Sequence, residues 1–147
     1  MTYMAKGVRK TTSRKRGHIE VFSKVKLSAA NGKSMDVLTE VETVNSNDKI
    51  RKDLNRVSLA YFYVEAINKL VEEEEKNLPL FKLLEKSLEN LPNEKNLKNA
   101  RKRFIEEALT ILGFWPKGKG VSDADLLLEN ITERELYSIR VGKKVLK

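Results

Sequence analysis

Apolar and polar residues alternate with a period of two along the first third of the chain. The alternation covers residues 18–27 and 33–44, and a shorter apolar stretch lies at 1–8. A period of two is typical of strands that bury one face, and the Asn31-Gly32 pair between the two longer stretches is a frequent hairpin turn. The pattern therefore predicts three β-strands, of which the second and third form an antiparallel hairpin.

From residue 48 onward the apolar residues recur at every third or fourth position, as they do in helices that bury one face. This pattern predicts helices over 48–76, 80–91, 96–112, 122–130 and 132–147. Residues 45–48 offer N-caps for the first helix, and Gly113 should end the third. In the first helix the predicted core stripe consists of Leu54, Val57, Tyr61, Val64 and Val71, widened by Ala60, Ile67 and Leu70.

These two patterns define the fold class and the domains that we expect. The predicted class is α+β, with an antiparallel β-module over residues 1–46 followed by an α-helical domain over 47–147. A chain of 147 residues in which 40% are hydrophobic is long and apolar enough for one compact domain, or for a small module followed by a helical domain.

The residue composition excludes several kinds of chemistry. The chain has no cysteine, which excludes disulfides, thiolate metal sites and cysteine nucleophiles, and its single histidine, His18, disfavours a histidine-based metal site or catalytic triad. No apolar run approaches the ~18 residues that a membrane-spanning helix needs. The glycines fit no phosphate-binding motif. We therefore expect a soluble, cytoplasmic protein that is not an enzyme and binds no cofactor or metal ion.

Positive charge is concentrated in residues 3–27, called here the basic segment. It holds eight of the 29 Lys and Arg residues and one acidic residue, Glu20, and so accounts for nearly all of the net charge of +8. Such a concentration attracts polyanions, of which nucleic acid is the commonest. The predicted DNA-binding residues are Lys6, Arg9, Lys10, Arg14, Lys15, Arg16, Lys24 and Lys26. A basic loop that only keeps the protein soluble would have the same charge, and this alternative stays open.

Three further features allow both a functional and a simpler interpretation. Phe22 lies among the charged positions of the predicted second strand, where it could stack against a base or fill a small apolar cluster. Arg101, Lys102 and Arg103 follow one another on the third helix, where they could receive a peptide carboxylate or phosphates, or stay solvated. The four glutamates of residues 72–75 could dock a basic partner or form a solvated face.

Several short motifs occur in a definite order along the chain. Residues 5–10 read AKGVRK, and a basic loop that contains serine leads from them to GHIEVFS at 17–23. Residues 38–42 read LTEVE, and residues 112–116 read LGFWP. This order, over about residues 4–116, resembles that of the bacterial DNA repair and recombination mediator family RecO.

The resemblance implies both a fold and a function. RecO proteins have an N-terminal OB-fold followed by an α-helical domain, so the β-module should be OB-like. The resemblance also implies a non-enzymatic protein that binds single- and double-stranded DNA, anneals complementary strands and helps to load recombinase onto strands coated with single-strand-binding protein. The implied partners are DNA, RecR and the C-terminal tail of the single-strand-binding protein.

The chain differs from the family pattern in two places. Family members have further strands before the AKGVRK-like strand, so we expect a shortened, partial OB-like module. Many members have a four-cysteine zinc motif where this chain has residues 117–120, so no zinc is expected. Two other function classes stay open: an interaction module that binds a peptide or another subunit, and an RNA-binding protein.

Overall fold

The computed structural model describes residues 3–5, 8, 13, 15, 17–71 and 76–132. Its contacts divide into two units, Met1–Asp48 and Lys49–Lys147. The first unit contains a two-stranded antiparallel sheet and the second contains the helices, which confirms the predicted α+β class. The domain boundary that the sequence predicts, between residues 46 and 47, stays a prediction.

The sheet of the first unit consists of β1 (Lys24–Ala30) and β2 (Val37–Asn45). The two strands are antiparallel and place Lys26 directly opposite Glu42. The register shifts once near each end of β1, so the regular ladder is short. The predicted antiparallel pairing of the second and third segments is confirmed for these residues.

Met4 extends the sheet by a single parallel bridge to β2. The Met4 N–H donates to the carbonyl of Asp36 at 2.8 Å, and the Met4 carbonyl accepts from the N–H of Leu38 at 3.0 Å. In the part of the chain that the structure describes, the predicted first strand is therefore reduced to one bridge.

The predicted strand over 18–27 is wrong in its first half. The N–H of Ser23 donates to the carbonyl of Glu20 at 3.1 Å, which closes a turn where extended backbone was expected. Phe22 has a φ of 68°, in the left-handed region that breaks a strand. Its carbonyl accepts a hydrogen bond from the side-chain amide of Asn47 at 2.9 Å. A contact distant in sequence thus fixes this bend, although the alternation of residue types is that of a strand.

The predicted Asn31-Gly32 turn falls in the connection between β1 and β2, which covers residues 31–36, so β2 begins four residues later than predicted. Gly32 is needed there for space, because a Cβ atom at this position would overlap the backbone carbonyl of Met35. Gly32 therefore allows the backbone of residues 32 and 35 to come close together within the loop.

The second unit is helical. Its elements are α1 (Leu54–Leu70), α2 (Leu78–Asn90), α3 (Leu97–Ile111) and α4 (Ala124–Thr132), with 3₁₀ turns at Ile50–Lys52 and Leu91–Asn93. None of these described helices is long and apolar enough to cross a membrane. The four helices predicted between residues 48 and 130 are present, whereas the one predicted over 132–147 and the glutamates of 72–75 lie outside the described residues.

The helix ends follow local capping chemistry. The carboxylate of Asp53 accepts from the backbone N–H groups of Asn55 at 2.9 Å and Arg56 at 3.3 Å, so α1 begins there and not at the predicted residues 45–48. Asn96 caps α3 in the same way. Gly113 ends α3 with a φ of 79°, as predicted.

The predicted core stripe of α1 is wrong at three of its positions, although Ala60 is buried as predicted. Leu54, Tyr61 and Val64 expose 66%, 50% and 41% of their surface. The buried residues of this helix are Leu59, Ala60, Phe62, Tyr63 and Ala66. Because α1 is apolar on both sides, the spacing alone allowed two stripes. The stacking of Tyr63 on Phe104, with ring centroids 4.1 Å apart, selects the second one.

Burial is uneven between the two units. Among the described residues of the first unit, Leu38 is the one fully buried apolar side chain. The second unit buries apolar residues from every one of its four helices, including Tyr63, Leu80, Leu109 and Leu128. The larger hydrophobic core therefore belongs to the helical unit.

Candidate nucleic-acid interface

Three of the eight predicted DNA-binding residues lie in the described part of the chain: Lys15, Lys24 and Lys26. The other five lie outside the described residues: Lys6, Arg9, Lys10, Arg14 and Arg16. Lys24 and Lys26 lie in β1, whereas Lys15 lies in a turn before the sheet.

Lys15 is hydrogen-bonded to β2. Its ammonium group donates a hydrogen bond to the backbone carbonyl of Leu38, and its backbone N–H donates to the hydroxyl of Ser13 at 3.3 Å. An ammonium group has three donors, so one bond to a carbonyl leaves further donors for an anion. Lys15 thus has a structural role in addition to the charge that it adds to the basic segment.

Lys24 begins β1, opposite Asn45, and its side chain is half-buried. His18 is held close to the same end of the sheet, because its Nδ1 atom and the hydroxyl of Thr43 lie 2.8 Å apart. Phe22 is also half-buried. This end of the sheet is therefore more enclosed than the position of Lys26, which is exposed.

A groove runs along one face of the sheet and contains residues of both charges. Its polar lining consists of Ser13, Lys15, Lys26, Ser28, Thr39, Glu40 and Glu42. Glu42 lies directly opposite Lys26, and Glu40 lies directly opposite Ser28. The carboxylates of β2 therefore offset part of the positive potential that the lysines create in this groove.

The three cations of the predicted peptide site do not converge. The guanidinium carbon of Arg101 lies 4.1 Å from the centroid of the Phe62 ring, a cation–π contact inside the helical unit. Arg103 forms an ion pair with Glu94, and Lys102 is exposed. Successive residues of a helix point about 100° apart, so three in a row reach different surroundings.

Arg103 also lines a pocket among α1, α2 and α3, with Tyr63, Ser87, Asn90, Glu94 and Glu107. Burial, and then the nearby carboxylate of Glu94, raise the pKa of Tyr63, and the two arginines act in the opposite direction. The Tyr63 hydroxyl therefore stays protonated well above neutral pH. The pattern of apolar residues had not marked Tyr63 as a pocket residue, because it assigned the core face of α1 to Tyr61.

No group of three or more His, Asp and Glu side chains in the described ranges is arranged to hold a metal ion. What the described residues do present is polar and ionic chemistry: lysines at a sheet in the first unit, and an Arg–Glu pair beside a buried tyrosine in the second.

The structure thus defines an α+β protein in which a small β-module carries the basic segment and a helical unit follows. Two family models match the same two parts of the chain: "Recombination protein O N terminal" matches residues 1–47, and "Recombination protein O C terminal" matches residues 51–119. Together they cover most of the sequence. The chain belongs to the RecO family.

Curated relatives agree with the family models. The chain is 30% identical over 131 residues to the DNA repair protein RecO of Roseiflexus sp. (strain RS-1), an alignment that covers 89% of this chain and 46% of that protein. It is 34% identical over 113 residues to the DNA repair protein RecO of a strain of Dehalococcoides mccartyi, with 77% and 45% covered. The chain spans about half the length of these curated relatives. No solved structure matches.

Proposed function

We propose that this chain acts in DNA repair and recombination by binding DNA through the basic segment. The observation that carries the proposal is the concentration of positive charge in residues 3–27, within the part of the chain that the N-terminal RecO model matches. The names of the curated relatives, all DNA repair proteins, support the same biological role. The residues proposed to contact DNA are Lys6, Arg9, Lys10, Arg14, Lys15, Arg16, Lys24 and Lys26.

The chemistry of these side chains favours contacts to the phosphate backbone. Lys and Arg bind phosphates without reading base identity, and counterions are released as they do so. Binding should therefore depend weakly on sequence and strongly on salt. A cationic segment also reduces the repulsion between two DNA strands, which supports a role in annealing complementary strands without any enzymatic step.

We also propose the mediator role of the family for this chain. In that role it would help to load recombinase onto DNA coated with single-strand-binding protein, with RecR and the C-terminal tail of the single-strand-binding protein as partners. The match of residues 51–119 to the C-terminal RecO model supports a family-typical use of the helical unit.

The test of DNA binding is a fluorescence-anisotropy titration of labelled single-stranded DNA across a series of salt concentrations. Arg14 and Arg16 are changed to Ala together, and Lys15 is changed separately because of its bond to Leu38. The double variant should lower the affinity and reduce the slope of log affinity against log salt by about 1.4.

Lys95 and Lys98, which are exposed in the helical unit, provide the matched control when both are changed to Ala. The control should bind as the parent protein does. Absence of binding by the parent at low salt would overturn the proposal. A marked preference for structured RNA over single-stranded DNA would support the RNA-binding alternative instead.

A second candidate function is peptide binding by the helical unit. The pocket beside Arg103 and Tyr63 favours it, because a peptide carboxylate could replace Glu94 as the partner of Arg103. The test compares an acidic peptide with a free C-terminal carboxylate and the same peptide amidated. Arg103→Ala should weaken binding of the free peptide, whereas Lys102→Ala should not. Equal effects of the two changes would reject this site.

A further inference from the structure

Residues 113–120, which form part of the connection between α3 and α4, combine exposed aromatic surface with positive charge and are called here the aromatic loop. Phe114 exposes 56% of its surface, and the neighbouring Trp115 is half-buried. Lys117 and Lys119 are both exposed, and the loop contains no acidic residue. Aromatic rings beside cations are the combination that binds single-stranded nucleic acid.

The position of Phe114 is fixed by the end of α3. Its N–H donates to the carbonyl of Leu109 at 2.9 Å, while the N–H of Gly113 donates to the carbonyl of Thr110 at 3.1 Å. These are the two hydrogen bonds of a Schellman motif, and the φ of 79° at Gly113 completes it. The backbone that carries the Phe114 ring is therefore preorganised, so a ligand would not have to order it.

Trp115 and Lys119 hold the rest of the loop together. The indole N–H of Trp115 donates to the carbonyl of Lys119 at 2.6 Å, and the ammonium of Lys119 lies 5.5 Å from the centroid of the indole ring. The N–H of Lys119 closes a turn on the carbonyl of Pro116 at 3.3 Å, with Gly118 at a φ of 82°. The turn thus keeps a cation next to Trp115, the residue that follows Phe114 in the chain.

We propose that the aromatic loop is a second contact for single-stranded DNA, in which Phe114 stacks on a base and Lys117 and Lys119 bind the neighbouring phosphates. Every base has a π-face, so stacking of this kind tolerates any sequence. The inference goes beyond the proposed function, because it places a base contact on the helical unit and rests on none of the residues of the basic segment.

Trp115 provides the readout, since it is the single tryptophan of the chain. The full chain is titrated with an oligothymidylate and with an abasic oligonucleotide of the same length, at low salt. The base-bearing oligonucleotide should quench the tryptophan fluorescence, and the abasic one should bind with much less quenching. Equal quenching by both would overturn the assignment of a base contact.

Variants distinguish the contribution of base stacking to the DNA affinity from the contribution of positive charge. Phe114→Ala should weaken binding of the oligothymidylate about tenfold and leave the abasic affinity unchanged. Changing Lys117 and Lys119 to Ala should weaken binding of both oligonucleotides. Phe81→Ala, at a residue of α2 that is 50% exposed, is the matched aromatic control and should change neither affinity. Parent-like binding of oligothymidylate by Phe114→Ala would also overturn the proposal.

The same titrations distinguish a DNA contact at the aromatic loop from one at the basic segment. Changes at Arg14 and Arg16 should lower the affinity for both oligonucleotides equally and leave the quenching at saturation intact. If those changes have no effect while Phe114→Ala does, the aromatic loop is a DNA contact and the basic segment is not.

Discussion

Lys26 of β1 and Glu42 of β2 stand directly opposite each other in the antiparallel pairing. Directly opposite residues share one face of a sheet, with Cβ atoms about 4.5–5.5 Å apart, and both side chains line the same groove. An acidic side chain is thus placed within the surface proposed to bind phosphates, where its negative charge opposes the approach of DNA to Lys26.

Glu42→Gln should therefore strengthen DNA binding. Opposite charges at cross-strand positions interact by about 0.2–1 kcal/mol, so removal of the Glu42 charge should raise the affinity of Lys26 for phosphate roughly 1.4- to 5-fold at low salt. Anisotropy titrations of the parent and the variant measure this change. Glu107→Gln, which removes one negative charge from the helical unit, is the control and should bind as the parent does. A weaker affinity of Glu42→Gln would contradict a phosphate contact at Lys26.

Two tyrosines of α1 should differ sharply in their contribution to stability. Tyr63 is buried and stacks on Phe104 at 4.1 Å, whereas Tyr61 is half exposed. Tyr63→Ala should lower the free energy of unfolding of the helical unit by about 3–5 kcal/mol, as large-to-small changes of buried aromatic residues do. Tyr61→Ala should lower it by less than about 1 kcal/mol. Urea unfolding followed by circular dichroism gives both values, and similar losses would mean that the buried face of α1 is assigned incorrectly.

The N-cap of α1 should make stability depend on pH. Hydrogen bonds from the backbone N–H groups of Arg56 and Asn55, and the charge of the Arg56 guanidinium, hold the pKa of Asp53 below its ordinary value of 3.8. A lowered pKa in the folded state means that the ionised carboxylate stabilises the fold above the ordinary pKa, and that this contribution disappears as the pH falls through the folded-state value.

Asp53→Asn should therefore unfold at a lower temperature than the parent near neutral pH. This difference in unfolding temperature should shrink as the pH falls below the ordinary pKa of 3.8 and disappear as it passes the lower pKa of the folded state. Thermal unfolding of both proteins over this pH range tests the prediction. Asp48→Asn, which removes an exposed carboxylate earlier in the chain, controls for the change in net charge. If the difference in unfolding temperature persists unchanged in acid, the charge of Asp53 does not contribute to stability.

Replacement of Gly113 by alanine should lower the stability of the helical unit, whereas replacement of Gly120 should not. Gly113 has a φ of 79°, and an alanine in the left-handed region costs about 1–2 kcal/mol. Gly120 has no such φ and open space around its Cα, so Gly120→Ala should be nearly neutral. Differential scanning calorimetry of the two variants measures the contrast. Equal stabilities would indicate that the Schellman motif does not form.

Features that depend on neighbouring residues were predictable from the sequence, as the ends of α3 show. Asn96 and Gly113 act on the backbone of the adjacent turn, so their residue types carry the information. The bend at Phe22 was not predictable, because Asn47 fixes it through a bond across the first unit. The buried face of α1 was missed for a similar reason, since the helix is apolar on both sides and Phe104 decides which side is covered.

The same distinction applies to the candidate site. The concentration of charge in the basic segment is a property of the sequence and could be seen there. The partners of Arg101 and Arg103 are Phe62 and Glu94, which only tertiary packing brings close. Adjacent positions in the sequence therefore suggested one cationic cluster where the fold has separate environments.

The scarcity of buried side chains in the first unit links its stability to its ligand. With Leu38 as the one fully buried apolar residue among those described there, the sheet has little core to protect its amide hydrogens from exchange. A ligand that binds the ordered form stabilises it by mass action, so DNA should slow exchange in β1 and β2 far more than in the helices. DNA binding and ordering of the sheet would then be thermodynamically coupled. A smaller side chain at Leu38, which carries no charge of its own, would weaken DNA binding through the stability of the sheet.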